Sequence, residues 1–132
     1  MAHIAASIPA QNITVIDARD GYCCVRCGQA ITNNGSRHHR QRRQVGGHGV
    51  ENVVLVCGSG TTGCHGWAHA NPAAARAVGL IVRTTVADVS AVPLLIVDRS
   101  VSPDPFYVRL TANGDRIYFP VAEAKQALEL VA

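Results

Sequence analysis

A chain of 132 residues suits one domain with one modest core. No window approaches the roughly 18 apolar residues of a membrane helix, and the start MAHIAASIPAQN lacks the basic and apolar runs of a secretory signal. A reducing compartment is therefore expected, where five cysteines argue for metal rather than disulfides. The net charge of +3 is unevenly spread: residues 21–87 carry seven arginines against the single acid Glu51, whereas residues 1–20 sum to −1 and residues 88–132 to −2. Planar guanidinium groups fork onto phosphate, so a nucleic acid is the first expected partner, with a merely solvated basic loop as the alternative.

Taken in chain order, residues 1–12 read as a poorly ordered lead-in, and residues 13–20 fit either a strand or a helix. Gly21 turns the chain into Cys24-Val25-Arg26-Cys27-Gly28, the shape of a zinc knuckle. Residues 29–32 and 36–39, joined by Asn33-Asn34-Gly35, predict a small hairpin. Residues 40–50 hold Gly46, Gly47 and Gly49, and such glycine density predicts a loop. The β-branched run 53–56 predicts a buried strand ending at Cys57, followed by a flexible bend over 58–63. A helical stretch then opens at His65 and is broken by Pro72, giving pieces over 65–70 and 72–78, with Asn71 as the second N-cap and Gly79 just past the end. Residues 80–85 and 92–97 read as strands. Asn113-Gly114 between 106–110 and 116–119 marks a hairpin, and apolar positions 121, 124, 127, 128 and 131 line one face of a last helix.

Two cysteine pairs, Cys24/Cys27 and Cys57/Cys64, supply the four soft ligands of a tetrahedral structural zinc. Cys23 is the odd one out, and a pairing of Cys23 with Cys27 is a less regular alternative. Neighbours on a strand point to opposite faces, so His38 and His39 can do different jobs, one on a metal and one on water. His65 and His69 are spaced to share a helix face, as a metal pair does. Asn52, just before the buried strand, is placed to hydrogen-bond and fix the loop backbone. His3 and His48 are read as surface or packing residues.

The string HHRQRRQVGGHGVENVVLVCGSGTTGCHGW resembles the HNH endonucleases, and most nearly the small HNH proteins of tailed bacteriophages. The resemblance covers about residues 19–97. It implies an α+β fold, with a ββα-metal core and zinc knuckles over 19–85, a lead-in over 1–18, and C-terminal strands, hairpin and helix over 86–132 packed on the core. By that resemblance His39 would be the general base, Asn52 would orient the loop, and His38 and His65 would hold a catalytic divalent metal (Mg²⁺, Mn²⁺, Ni²⁺ or Zn²⁺). His69 matches a third ligand found in some branches. Arg37, Arg40, Arg42 and Arg43 would grip the backbone of double-stranded DNA, and Cys24, Cys27, Cys57 and Cys64 would hold structural Zn²⁺. The six residues between Cys57 and Cys64 depart from the usual close pair. The resemblance further implies metal-dependent phosphodiester hydrolysis beside the phage terminase in genome packaging, in the cytoplasm of an infected bacterial host and away from membranes. Monomer and homodimer stay open. A zinc-ribbon DNA-binding module without catalysis, its histidines serving as packing, is the competing reading.

Overall fold

The run Val53–Cys57 forms strand β2, whose first four residues are buried. It is covered on both faces, which is why it reads as a continuous apolar run. Val53 and Leu55 meet Ile16 and Val50 on one side, while Val54 and Val56 face the main core on the other. The computed structural model describes residues 7–132; the first six residues, His3 among them, lie outside the described residues.

Helix α1, Ala10–Arg19, covers the first of these faces through the fully buried Ile16. The expected lead-in is therefore a packed helix from Ala10 onward, and the boundary drawn at residue 18 falls inside it. Strand β1, Gly35–His39, pairs antiparallel with β2, setting Gly35 opposite Cys57 and His38 opposite Val54. This replaces the expected local hairpin: residues 29–32 contribute only a bridge between Ala30 and Cys23, because β1 finds its ladder on the buried strand instead. The glycine-rich loop between the strands is not wholly irregular, since Arg43–Gly46 makes one helical turn, α2.

Helix α3, Gly63–Ala70, follows β2, and α4, Pro72–Ala77, follows α3. Asn71 between them, at φ −130° and ψ 62°, leaves the helical region that the following proline disfavours. Its side chain does not cap α4; its amide nitrogen donates back to the Trp67 carbonyl at 3.0 Å. Residues 80–85 form no strand. Leu80 and Val82 are buried, but their amides donate to Ala75 and Arg40 carbonyls rather than to a ladder.

Strands β3 (Leu94–Ile96), β4 (Phe106–Leu110) and β5 (Arg116–Phe119) form a second antiparallel sheet in that order, with the expected hairpin between β4 and β5. Helix α5, Val121–Leu130, packs Ala124 and Leu128 on Val82, Val92 and Tyr107. The result is an α+β fold with two small sheets. One cluster joins Val54, Val56, Cys64 and Ala68 to Leu94, Ile96, Val108 and Leu110, so both sheets share a core. No helix among the described residues is long and apolar enough to cross a membrane.

A buried carboxylate ties the periphery to β2. Asp20, with a fully buried side chain, accepts from Arg19 at 2.8 Å and 3.1 Å, from the Leu55 amide at 2.9 Å and from Arg116 of β5 at 3.3 Å. Arg19 also donates to the Val50 and Val53 carbonyls, and its side chain is only 3% exposed. Removing one partner of such a cluster leaves an uncompensated buried charge. Asp20→Ala is expected to lower stability by about 3–5 kcal/mol, read as a fall in the urea unfolding midpoint; an unchanged midpoint would show the cluster to be dispensable.

Candidate metal centres and the adjoining cleft

Cys24, Cys27, Cys57 and Cys64 come together as the sequence predicts, with all four sulfurs within 4.8 Å of one another. Gly28, at φ +78°, closes the first turn, and its amide donates to the Cys24 carbonyl at 2.8 Å. The second turn needs glycine twice. A Cβ on Gly58 would lie 2.1 Å from the Thr62 carbonyl oxygen, and one on Gly63 would lie 2.7 Å from that of Cys57. The six-residue spacing thus doubles back tightly enough for the Cys64 amide to donate to the Cys57 sulfur at 3.3 Å.

All five cysteines are free. A tetrahedral zinc with bonds of about 2.3 Å spaces its sulfurs about 3.8 Å apart, and Cys27 Sγ and Cys57 Sγ are separated by 3.8 Å. Burial pushes the Cys24 thiol up and the Cys64 thiol up to about 12. At Cys57 burial is also the largest influence, but hydrogen bonds from Cys64, Cys27 and Cys24 outweigh it and hold that thiol below its usual value. Arg26 donates to the Cys64 sulfur at 3.4 Å while its guanidinium lies 3.6 Å over the Trp67 ring. These four cysteines could hold a structural metal ion such as zinc. Cys23 stands outside the group, which removes the alternative pairing.

The second donor cluster is His38, His65 and His69, whose donor nitrogens also lie within 4.8 Å of one another. His38 is buried on β1, and its Nε2 lies 2.8 Å from the Leu80 carbonyl. A carbonyl only accepts, so Nε2 carries the hydrogen and Nδ1 keeps its lone pair. Burial above all, then the neighbouring His65, His69 and His39, holds His38 down at about 4, against the opposing Leu80 hydrogen bond. Burial, followed by the proximity of His69, lowers His65 too. His65 and His69 share one face of α3, their Nε2 atoms 3.0 Å apart, and Pro72 falls beyond the helix end without disturbing that register. Ligand nitrogens in a tetrahedron with bonds of about 2.0–2.1 Å stand about 3.3–3.4 Å apart, slightly wider than this pair. His65 Nδ1 is buried and has no hydrogen-bond partner. These closely spaced imidazoles could hold a divalent cation.

His39 does not enter that cluster. It is half-buried, and its Nε2 lies 2.9 Å from Nδ1 of His48. Burial first, then His48 and Arg43, depresses its proton affinity. Asn52 is fully buried and fixes the loop as expected: its Oδ1 accepts from the Gln41 amide at 2.8 Å, and its Nδ2 donates to the Gln41 and Gly47 carbonyls at 2.8 and 3.0 Å. His38, His39, His65, His69, Arg42 and Arg43 all line one open cleft of about 410 Å³.

The four arginines divide. Arg42 and Arg43 are exposed at the cleft. Arg37 forks onto Asp17 of α1 at 2.6 and 2.9 Å, so its charge is already matched. Arg40 is 2% exposed and donates to the Gly79 and Val92 carbonyls at 2.9 and 2.8 Å, with longer contacts to those of Glu51, Val89 and Pro93. It is an internal brace and not a phosphate contact. Sequence reasoning missed Gln41, whose side-chain amide donates to the Arg83 and Val86 carbonyls at 2.9 Å each, while His48, read as a surface or packing residue, is half-buried against His39.

Two outcomes are expected. Purified protein should carry one tightly held zinc, and Cys57→Ser should lose it together with several degrees of thermal stability; a metal-free wild type with an unchanged melting temperature would refute the thiolate assignment. Asn52→Ala would strand the two buried backbone groups of Gln41 and the half-buried Gly47 carbonyl, and should cost about 2–4 kcal/mol in chemical denaturation, with a loss below 1 kcal/mol arguing against the clamp. Compared with protein-family models, with curated proteins and with solved structures, the chain matches none, so what the cleft does rests on its own residues.

Proposed function

We propose that the protein is a metal-dependent endonuclease of the HNH kind, hydrolysing phosphodiester bonds in double-stranded DNA. The observation that carries this reading is the convergence, on one cleft, of a three-imidazole cluster, a separate histidine and two exposed arginines. The succession β1, β2, α3, with His38 and His39 on the first strand and His65 and His69 on the helix, supports it.

His38, His65 and His69 would hold the divalent cation. Once bound, the cation supplies Lewis-acid neutralisation of the scissile phosphate and of the leaving oxygen. His39 takes the proton from the attacking water; half-buried and held neutral, it is ready to act as a base at neutral pH. Asn52 keeps the loop that carries Arg42 and Arg43 against β1. Those arginines draw the phosphate backbone into the cleft and read no base edge, so sequence preference should be low and binding salt-sensitive. The cluster contains imidazoles and no carboxylate, which suits nickel or zinc better than magnesium.

Nicking of supercoiled plasmid tests the reading. Wild type should cut, faster with Ni²⁺ than with Mg²⁺, and His39→Ala should slow cutting by about 10²–10⁴-fold with DNA binding retained. Equal cutting by the variant would overturn the base assignment. Salt-sensitive DNA binding without cleavage under any divalent ion would leave a thiolate-clamped binding module in place of an enzyme.

A further inference from the structure

We propose that His48 is the positioning residue for His39: its Nδ1 accepts a hydrogen bond from His39 Nε2, leaving His39 Nδ1 as the nitrogen that takes the proton from water. This rests on the nuclease reading above and adds to it a residue that the sequence pattern does not single out.

Geometry carries the inference. The two ring nitrogens are 2.9 Å apart and the ring centroids 5.1 Å apart, so exactly one of the pair donates. If His48 donated, His39 Nε2 would spend its lone pair on that bond and Nδ1 would hold the hydrogen, leaving no nitrogen to receive a proton. If His39 donates, Nδ1 is basic and available. The ring of His39 is not a member of the metal cluster, so no ligand bond competes to fix its tautomer. His48 is the side chain the structure places on its Nε2.

The loop is built to hold His48 in place. Gly47 turns the chain at φ +73°, a conformation that favours glycine. The Gly47 carbonyl is tied to Asn52 Nδ2 at 3.0 Å, and the Gly49 carbonyl accepts from the Asn52 amide at 2.9 Å. The His48 carbonyl itself accepts from Asn12 of α1 at 2.9 Å. Three consecutive carbonyls are thus anchored, two by Asn52 and one by the N-terminal helix. A surface histidine in a flexible glycine loop needs no such anchoring. Partners that fix the tautomer of a metal-bound imidazole contribute about 10–100-fold, and an effect of the same order is expected for one that fixes the tautomer of a base.

The experiment uses the full metal-loaded chain with plasmid DNA, in wild type, His48→Ala and His48→Asn. Asparagine can present an oxygen near the position of Nδ1. Single-turnover cleavage under saturating Ni²⁺ and long-range ¹⁵N–¹H correlation spectra of the His39 ring are read in parallel. His48→Ala should cut about 10–100-fold more slowly at unchanged KM, and its His39 should shift from the Nε2–H form to a mixture of tautomers. His48→Asn should restore most of the rate and the Nε2–H form. Cleavage by His48→Ala at the wild-type rate overturns the proposal, as does an equal loss in both variants with the His39 tautomer unchanged. A wild type that cuts no DNA overturns the nuclease reading instead, and the ring spectra then decide the His39–His48 bond on their own: an Nδ1–H form of His39 in wild type refutes it.

Discussion

The turn from Cys57 to Cys64 is the constraint on which the rest of the site depends. Cys57 ends β2, Cys64 is the second residue of α3, and His65 comes next. Two donor clusters are therefore joined by one peptide bond: Cys64 faces the sulfurs and His65 faces the imidazoles. Gly58 and Gly63 permit the close return, and the Cys64 amide satisfies the Cys57 sulfur. An ion held by the four sulfurs would fix where α3 starts and the direction it takes, and so where His65 and His69 stand. The β1–β2 register supplies the other half of the geometry. Gly35 opposite Cys57 obliges His38 to lie opposite Val54, three residues further into the buried strand. A slip of one residue would exchange His38 and His39 between the two faces.

Around this frame the buried polar groups act as braces. Arg40, Gln41 and Asn52 are each at most 3% exposed, and each spends its side chain on backbone carbonyls or amides of segments that have no ladder of their own. Residues 79–86 and 41–47 form no sheet, so their backbone groups need other partners in a dry interior. The three side chains provide them. The chain thus pays for irregular backbone near the cleft with fully satisfied polar contacts.

What the sequence disclosed follows from how local each signal is. The β2 run, the break before Pro72 and the hairpin at Asn113-Gly114 are set by neighbours in sequence, and all three stand where the residues put them. Both donor clusters were legible because ligand chemistry limits the residue types, even across long separations. Partner choice was not. The segment 29–32 and strand β1 look like a hairpin locally, yet β1 gains more by pairing with the buried β2. Residues 80–85 read as a strand because they open with the apolar run Leu80-Ile81-Val82, but such a run reports burial and not a ladder. Arginines are expected at the surface from their charge, and only the fold shows that Arg40 is enclosed by carbonyls while Arg42 and Arg43 are open.

The part of the chain beyond α4 is more than a cap on the core. The Leu80 carbonyl sets the tautomer of His38, and the neighbouring Gly79 carbonyl receives Arg40. Arg40 also reaches the carbonyls of Val92 and Pro93, at the entrance to β3. The position of the Leu80 carbonyl is therefore set from both sides, by the end of α4 before it and by the second sheet behind it. A histidine that presents Nδ1 to a cation needs its other nitrogen engaged by an acceptor that does not move. Here that acceptor is a backbone oxygen, which no side-chain substitution at position 80 can delete, and its stability depends on the packing of Leu80 among Leu94, Ile96 and Leu110. The second sheet thus contributes no donor to either cluster, yet it fixes the orientation of the most buried imidazole in the site.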